Sequence, residues 1–259
     1  MSEIPPPQFS NYPRANYTGT PFGRPPGVYF DAISDAWTLV KSDLGSWVGA
    51  TLLAFIVYVP LVAIATYVQN GGTLFPEPKH VMAPSDIVLG VFASIVAATV
   101  LYILSGGMMR MAVKQVYGEQ ISALDVFAGF KNFGSAFGAC LLMLLAIYLS
   151  AIACLVPALF VSGALAFTPV IVIDQQVGGA EAVKRSFNAL KPHAWLMFCL
   201  LFVAGIISGL GMCLCGVGVL FTYPIYTAVI GLHYTYFFPR NPQPAGAPMY
   251  MVDPVIEDK

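Results

Sequence analysis

Residues 140–160 read CLLMLLAIYLSAIACLVPALF, a run in which no side chain is charged. A transmembrane helix needs about 20 mostly apolar residues, and a short turn near Cys154–Val156 would join two such helices here. The run lacks the alternation of apolar and polar side chains that marks a membrane β-barrel strand. Because a backbone in hydrocarbon must satisfy its own hydrogen bonds, the run predicts helices that cross a membrane.

The composition of the whole chain supports the same interpretation. Of the 259 residues, 58% are apolar and 10% charged, with a mean hydropathy of +0.75. A soluble domain is about 45–50% apolar and about 25% charged, so the composition argues against a soluble enzyme. The net charge of −1 provides no basic surface for nucleic acid. We therefore predict a polytopic membrane protein whose first partner is the lipid bilayer.

Six apolar segments without Asp, Glu, Lys or Arg predict an all-α fold with six transmembrane helices. Proline-rich segments at 1–28 and 239–259 are predicted to be irregular tails that flank a membrane domain at 29–238. The predicted spans are Ser46–Val68, Ile87–Met109, Gly134–Ala153, Pro157–Ile173, Ala194–Met212 and Val217–Phe237.

The basic residues predict the orientation of these spans. With six spans, eleven of the 12 lysines and arginines fall on one side of the membrane, and only Lys79 falls on the other. Loops rich in lysine and arginine stay in the cytoplasm. We therefore expect both termini to be cytoplasmic, in a protein of the bacterial inner membrane.

Three segments that precede the predicted hairpins share a pattern. Each carries an aromatic residue four positions before a lysine, with apolar residues at i, i+4 and i+7, which is typical of a short amphipathic helix. These helices either pack beneath the bundle as elbows or recognise lipid. The pattern predicts three repeats of amphipathic helix plus hairpin, at about 31–109, 121–173 and 181–238. The predicted aromatic anchors are Trp37, Phe127 and Phe187, ahead of Lys41, Lys131 and Lys191.

The even-numbered spans contain helix-breaking residues at related positions. Pro169 and Pro224 each follow a threonine, and Ser105-Gly-Gly107 takes the corresponding place in the second span. Broken helices at related positions mark substrate sites in some transporters, although ordinary spans also tolerate Pro and Gly. A transport site would require a polar cavity near Thr168, Thr222, Tyr223 and Tyr226.

His233 is the only ionisable imidazole within the predicted spans. An ionisable residue inside the membrane is a candidate for a functional role. Its position near the interface, between tyrosines, also fits a structural residue of the aromatic belt.

Three cysteines lie at the predicted outer turns of the second and third hairpins. Cys154 could form a disulfide with Cys213 or Cys215 in an oxidising periplasm. Alternatively, each cysteine serves as a small apolar residue in a tight turn. No metal site is expected, because Cys-x-Cys lacks the usual ligand spacing and no histidine or carboxylate lies near it in the sequence.

Glycines one helical turn apart suggest where helices approach each other. Small residues at this spacing let two helix backbones come close. We expect packing seams within the chain at Gly45 and Gly49, at Gly134 and Gly138, and at Gly205 and Gly209.

The region between Ile173 and Phe238 resembles a known group of proteins. It contains Glu181-Ala-Val-x2-Ser186, Gly211-x3-Cys215-Gly-Val-Gly218, Thr222-x-Pro224 and Tyr234 in that order. The membrane body, about 29–238, resembles uncharacterised bacterial six-span proteins related to the glycerophosphodiester phosphodiesterase-associated membrane domain. The resemblance brings no catalytic residues with it and implies no phosphodiesterase activity.

The function must therefore be inferred without catalytic motifs. No zinc protease, serine hydrolase, Walker or dinucleotide-binding motif occurs, so neither an enzyme nor a cofactor is expected. The first hypothesis is a non-enzymatic scaffold or accessory subunit that binds other membrane or cytoplasmic proteins through its tails and amphipathic helices. The alternative is a small-molecule or lipid transporter that uses the kinked even-numbered spans.

Overall fold

The computed structural model describes residues 25–70, 72–73, 84–213 and 217–240, and every regular element within these ranges is helical. The predicted tails at 1–28 and 239–259 fall almost entirely outside the described residues. The helices are α1 (Ala32–Ser42), α2 (Leu44–Gln69), α3 (Pro84–Val116), a 3-10 helix (Ala123–Asn132), α4 (Phe133–Ala153), α5 (Leu155–Ala164), α6 (Thr168–Asp174), α7 (Gly179–Leu190), a short 3-10 turn (Lys191–His193), α8 (Ala194–Cys213) and α9 (Val219–Phe237).

The helical fold and the membrane character predicted from the composition are confirmed. Five helical segments of the described chain are long and apolar enough to cross a membrane. The first four of them contain the first four predicted spans in chain order, and the fifth covers the predicted span Ala194–Met212 except for its last residue. They are Leu44–Gln69, Pro84–Val116, Ala123–Ala153, Leu155–Asp174 and Gly179–Gly211.

Helix α9, the last predicted span, is not among these five segments. It contains four tyrosines, three threonines and His233, which lower its hydropathy. Thirteen of its 19 residues are buried, and it packs against α1, α2, α3 and α8. In α4, by contrast, only Ala136, Ala139 and Cys140 are buried. A long helix with several polar side chains therefore lies inside the bundle, where neighbouring helices cover it.

The three segments with the shared aromatic and lysine pattern all form short helices, namely α1, the 3-10 helix Ala123–Asn132 and α7. In each helix, a fully buried residue lies one position before the predicted aromatic anchor. Ala36, Val126 and Ser186 are all fully buried. Trp37 is 38% exposed, with the Lys41 ammonium 5.4 Å from its ring centroid, while Phe127 and Phe187 are half-buried. The predicted aromatic anchors are therefore less buried than the residues that precede them.

The predicted fourth span is divided into α5 and α6 by a turn at Leu165–Phe167. The Ser186 hydroxyl from α7 bridges this break, because it accepts a hydrogen bond from the Phe167 amide at 3.2 Å and donates to the Ala164 carbonyl at 3.0 Å. The breaks predicted in the second and sixth spans are wrong. α3 runs through Ser105-Gly-Gly107 and α9 runs through Pro224 without interruption.

Within the chain, five of the six glycines of the predicted seams make no close helix contact. A Cβ atom placed on Gly45, Gly134, Gly138, Gly205 or Gly209 meets nothing within 4 Å, and only Gly49 approaches a neighbour, the Cβ of Ala123. The close approaches occur at other glycines. On Gly107 a Cβ would collide with the Val126 carbonyl, and on Gly231 with the Met109 carbonyl. Spacing alone did not indicate which face of a helix has a partner.

This difference between glycines can be tested with a matched pair of substitutions. Gly107→Ala is expected to destabilise the protein by about 1–3 kcal/mol, because its methyl group would displace the 3-10 helix from α3. Gly138→Ala is expected to be neutral or to stabilise by up to about 1 kcal/mol, because alanine is the better helix former and the site is open. Thermal unfolding of the purified protein in detergent measures both effects. Equal midpoints for the two variants would contradict the packing described here.

The bridging role of Ser186 can be tested separately. Ser186→Ala is expected to destabilise by about 1–3 kcal/mol, because it leaves a buried amide and a buried carbonyl without their partner. Ser150→Ala is the control, because that hydroxyl only returns to the Ala146 carbonyl of its own helix. Unfolding midpoints in the same detergent provide the comparison. A loss for Ser150→Ala as large as that for Ser186→Ala would show that the bridge is unimportant.

Candidate functional site

A cavity of about 800 Å³ lies between α2, α3, α4, α5, α8 and α9. Small-molecule sites in proteins are typically about 300–1,000 Å³, are mostly apolar and carry a few polar groups. Small side chains, among them Ala65, Ala97, Ala98 and Ala166, leave much of this space open. The turn between α5 and α6 also contributes to the lining, so the broken helix borders the cavity.

Hydroxyl groups gather where α3 and α9 approach each other. Ser105 on α3 and Tyr223 on α9 form a hydrogen bond of 2.7 Å. The rings of Tyr223 and Tyr226 are stacked, with centroids 6.5 Å apart and planes at 20°. Tyr58, near the middle of α2, lines the same cavity. We call Tyr58, Ser105, Tyr223 and Tyr226 the hydroxyl belt.

The two ends of the cavity differ in chemistry. Where α2 ends, Gln69 donates to the Ser94 hydroxyl at 2.6 Å, and both residues line the cavity. At the other end the lining consists of apolar residues such as Met109, Pro169 and Ile230. The cavity therefore has one polar end, a hydroxyl belt along its wall and an apolar floor.

A second cavity of about 390 Å³ lies between α2, α8 and α9. It shares Tyr58, Tyr223 and Tyr226 with the first cavity. Gly205 and Gly209 line it, which explains why these glycines make no helix seam. The belt tyrosines therefore form part of the wall of both spaces.

The candidate kink residues occupy different environments. Pro169 lines the larger cavity. Thr168 is buried and donates its hydroxyl to the Leu165 carbonyl at 2.8 Å, the group that loses its helical amide partner at Pro169. Thr222 donates to Ser208 O at 3.0 Å and thereby ties α9 to α8. Pro224 is buried within α9.

His233 lies apart from both cavities and is fully buried. Its Nε2 atom accepts a hydrogen bond from the Tyr29 amide at 3.1 Å, so Nδ1 carries the proton and donates to the Val229 carbonyl at 2.8 Å. The neutral imidazole therefore links the segment before α1 to α9.

Only one partner of the candidate disulfide, Cys154, has a described side chain. Cys154 is exposed between α4 and α5 as a free cysteine. Cys215 and the side chain of Cys213 lie outside the described residues, so the pairing remains a prediction.

An ionic cluster below the cavity was missed in the sequence analysis. Asp174, whose side chain is 6% exposed, forms an ion pair with Arg240, and Arg110 Nε lies 3.6 Å from the same carboxylate. The Tyr234 hydroxyl donates to Asp174 at 3.0 Å, and Arg240 also binds Glu119 at 2.6 Å. The cluster therefore joins α3, α6, α9 and the segment after α9.

The charge of Arg240 is secured by its partners. Burial alone would lower the pKa of its guanidinium, but the carboxylates of Asp174 and Glu119 outweigh this effect and hold the pKa above its ordinary value. The sequence offered only a weak signal for this cluster. Asp174 and Arg240 each follow a predicted span, 66 residues apart, and no spacing rule connects them.

The comparisons with known proteins add nothing to this geometry. No protein-family model, no curated protein and no solved structure matches the chain. The described residues also contain no group of three or more His, Cys, Asp or Glu side chains that could hold a metal ion.

The contribution of the ionic cluster can be measured. Asp174→Asn is expected to destabilise by about 3 kcal/mol, because Arg110 and Arg240 would lose the carboxylate that compensates their partly buried charges. Glu181→Gln is the control, because its pair with Arg185 is exposed and should leave the unfolding midpoint unchanged. Thermal unfolding in detergent distinguishes the two. An Asp174→Asn midpoint equal to that of the control would contradict a stabilising role.

Proposed function

We propose that this protein is a membrane transporter or carrier that takes an apolar small molecule or lipid into the larger cavity. The observation that carries the proposal is the cavity itself, which lies where Pro169, Ser105 and Tyr223 meet. The cavity is partly open at the surface of the bundle, so a molecule that entered it would supply contacts that its lining side chains lack. Its mostly apolar lining suits a molecule drawn from the bilayer.

The proposal includes a topology. α9 would be the sixth span, enclosed by the five more apolar ones, and the three short helices would lie on the cytoplasmic side of an inner membrane. The described lysines and arginines support this arrangement, because they belong to segments at one end of the bundle. They are Lys41, Arg110, Lys114, Lys131, Lys184, Arg185, Lys191 and Arg240. The proposed three repeats and the resemblance to the diesterase-associated domain fit this topology.

The scaffold hypothesis rests on other parts of the chain. Its binding segments, 1–28 and 239–259, lie mostly outside the described residues. It therefore remains a prediction, whereas the carrier function has a described cavity to support it.

Photolabelling can test whether lipid enters the cavity. The protein is placed in liposomes that contain phosphatidylcholine with a diazirine at the end of one acyl chain. After irradiation, we expect labelled peptides from the cavity walls of α3 and α9, around Ser105 and Tyr223.

Two variants control the photolabelling. Ala98→Trp is expected to reduce labelling of the cavity walls at least about fivefold, because its side chain would fill part of the space. Ala63→Trp is the matched control, since Ala63 is exposed on α2 and lines neither cavity. Wild-type labelling confined to exposed helix faces, or equal labelling in both variants, would refute the proposal.

A further inference from the structure

The chemistry of the cavity wall narrows the class of molecule that it would hold. None of the lining side chains in the described part of the protein is an Asp, Glu, Lys, Arg or His. The nearest charged cluster, around Arg110 and Asp174, lies beyond the apolar floor formed by Met109 and Ile230. Those charges already neutralise one another. A charged group inside the cavity would therefore have no counter-charge and little water.

The hydroxyl belt nevertheless offers hydrogen bonds at mid-depth. In the pair of Ser105 and Tyr223, one hydroxyl proton joins the two oxygens and the other remains available to a ligand. Tyr102, which also lines the cavity, has a buried hydroxyl without a partner among the described residues. An unpaired buried hydroxyl is costly, so an acceptor that reached it would be stabilising. The wall thus has donors for a ligand oxygen and no group for a ligand charge.

We propose that the ligand is an uncharged lipid, whose oxygen-bearing head (a ketone, ester or alcohol) binds at the hydroxyl belt and whose apolar body fills the rest of the cavity. This inference rests on the proposed carrier function. The apolar body would lie along side chains such as Val62, Leu144, Phe198 and Phe202. A phospholipid could insert a chain but would have to leave its charged head outside.

Three probes with the same chain length test this class in the photolabelling assay. They are 2-dodecanone, which has an uncharged acceptor, dodecane, which has no head, and dodecyltrimethylammonium, which carries a charge. We expect 2-dodecanone to displace the diazirine label at a concentration about 5–10-fold lower than dodecane. This difference corresponds to the one hydrogen bond that its carbonyl oxygen would accept. Dodecyltrimethylammonium should require a concentration at least about 100-fold higher than 2-dodecanone, because its charge is uncompensated.

A double variant assigns the selectivity to the belt. Ser105→Ala with Tyr223→Phe should reduce the advantage of 2-dodecanone over dodecane, while displacement by dodecane itself stays unchanged. Tyr67→Phe is the control, because Tyr67 is exposed on α2 and lines neither cavity. The comparison of the three probes in the wild-type protein does not depend on whether the double variant folds.

The outcomes separate this inference from the proposed function. Equal displacement by all three probes, or a double variant that retains the full wild-type preference for 2-dodecanone, would overturn the uncharged-head assignment while the cavity remained a lipid site. If the wild-type cavity walls take no label at all, both the carrier function and the ligand class fail.

Discussion

The need to keep polar groups away from lipid organises this bundle, and α9 is where that need is greatest. A helix with four tyrosines, three threonines and a histidine cannot face hydrocarbon on all sides without losing hydrogen bonds. Its neighbours therefore enclose it, and their lipid-facing sides are correspondingly apolar. Exposed residues such as Ile56 on α2 and Ile152 on α4 belong to those outer sides.

The same constraint explains the side-chain hydrogen bonds at the less regular points of the fold. Where the α5–α6 break leaves an amide and a carbonyl without helical partners, Ser186 supplies both bonds. Where α1, α2 and α3 meet, Gln115 accepts from the Trp47 indole at 2.9 Å and donates to the Leu39 carbonyl at 2.9 Å. Polar residues at these points stabilise the backbone of neighbouring elements rather than provide chemistry.

The parts of the fold that could be predicted are those defined by neighbouring residues in the sequence. The ends of α2, α4 and α8 were predicted to within about two residues, because long apolar runs define them directly. The glycine seams failed because a spacing of four residues specifies a face of a helix but not what lies opposite it. The breaks expected in α3 and α9 failed for a related reason: Gly106, Gly107 and Pro224 are buried, and both helices are continuous where neighbouring elements pack against these residues.

The candidate site shows the same division. Tyr223 and Tyr226 were named from their position beside Pro224, and both line the cavity. Tyr58 and Tyr102 were not named, because each lies in an apolar run with no neighbouring proline or glycine motif that singles it out. The ionic cluster was missed because residues of three helices and the segment after α9 meet only through the tertiary fold. Polar residues that follow an apolar run, such as Asp174 and Arg240, are therefore good candidates for ionic contacts between the ends of helices.

The cavity and the ionic cluster share three helices, α3, α6 and α9, whose neighbouring residues contribute to both. Met109 and Ile230 form the floor of the cavity, while Arg110 and Tyr234, one and four residues further along α3 and α9, belong to the cluster. α6 similarly carries Pro169 on the floor and Asp174 in the cluster. Any motion that opened the cavity towards the basic residues would have to separate α6 from α3 and α9, and so break the pairs of Asp174. The cluster therefore ties α6 to α3 and α9 directly beneath the floor of the cavity.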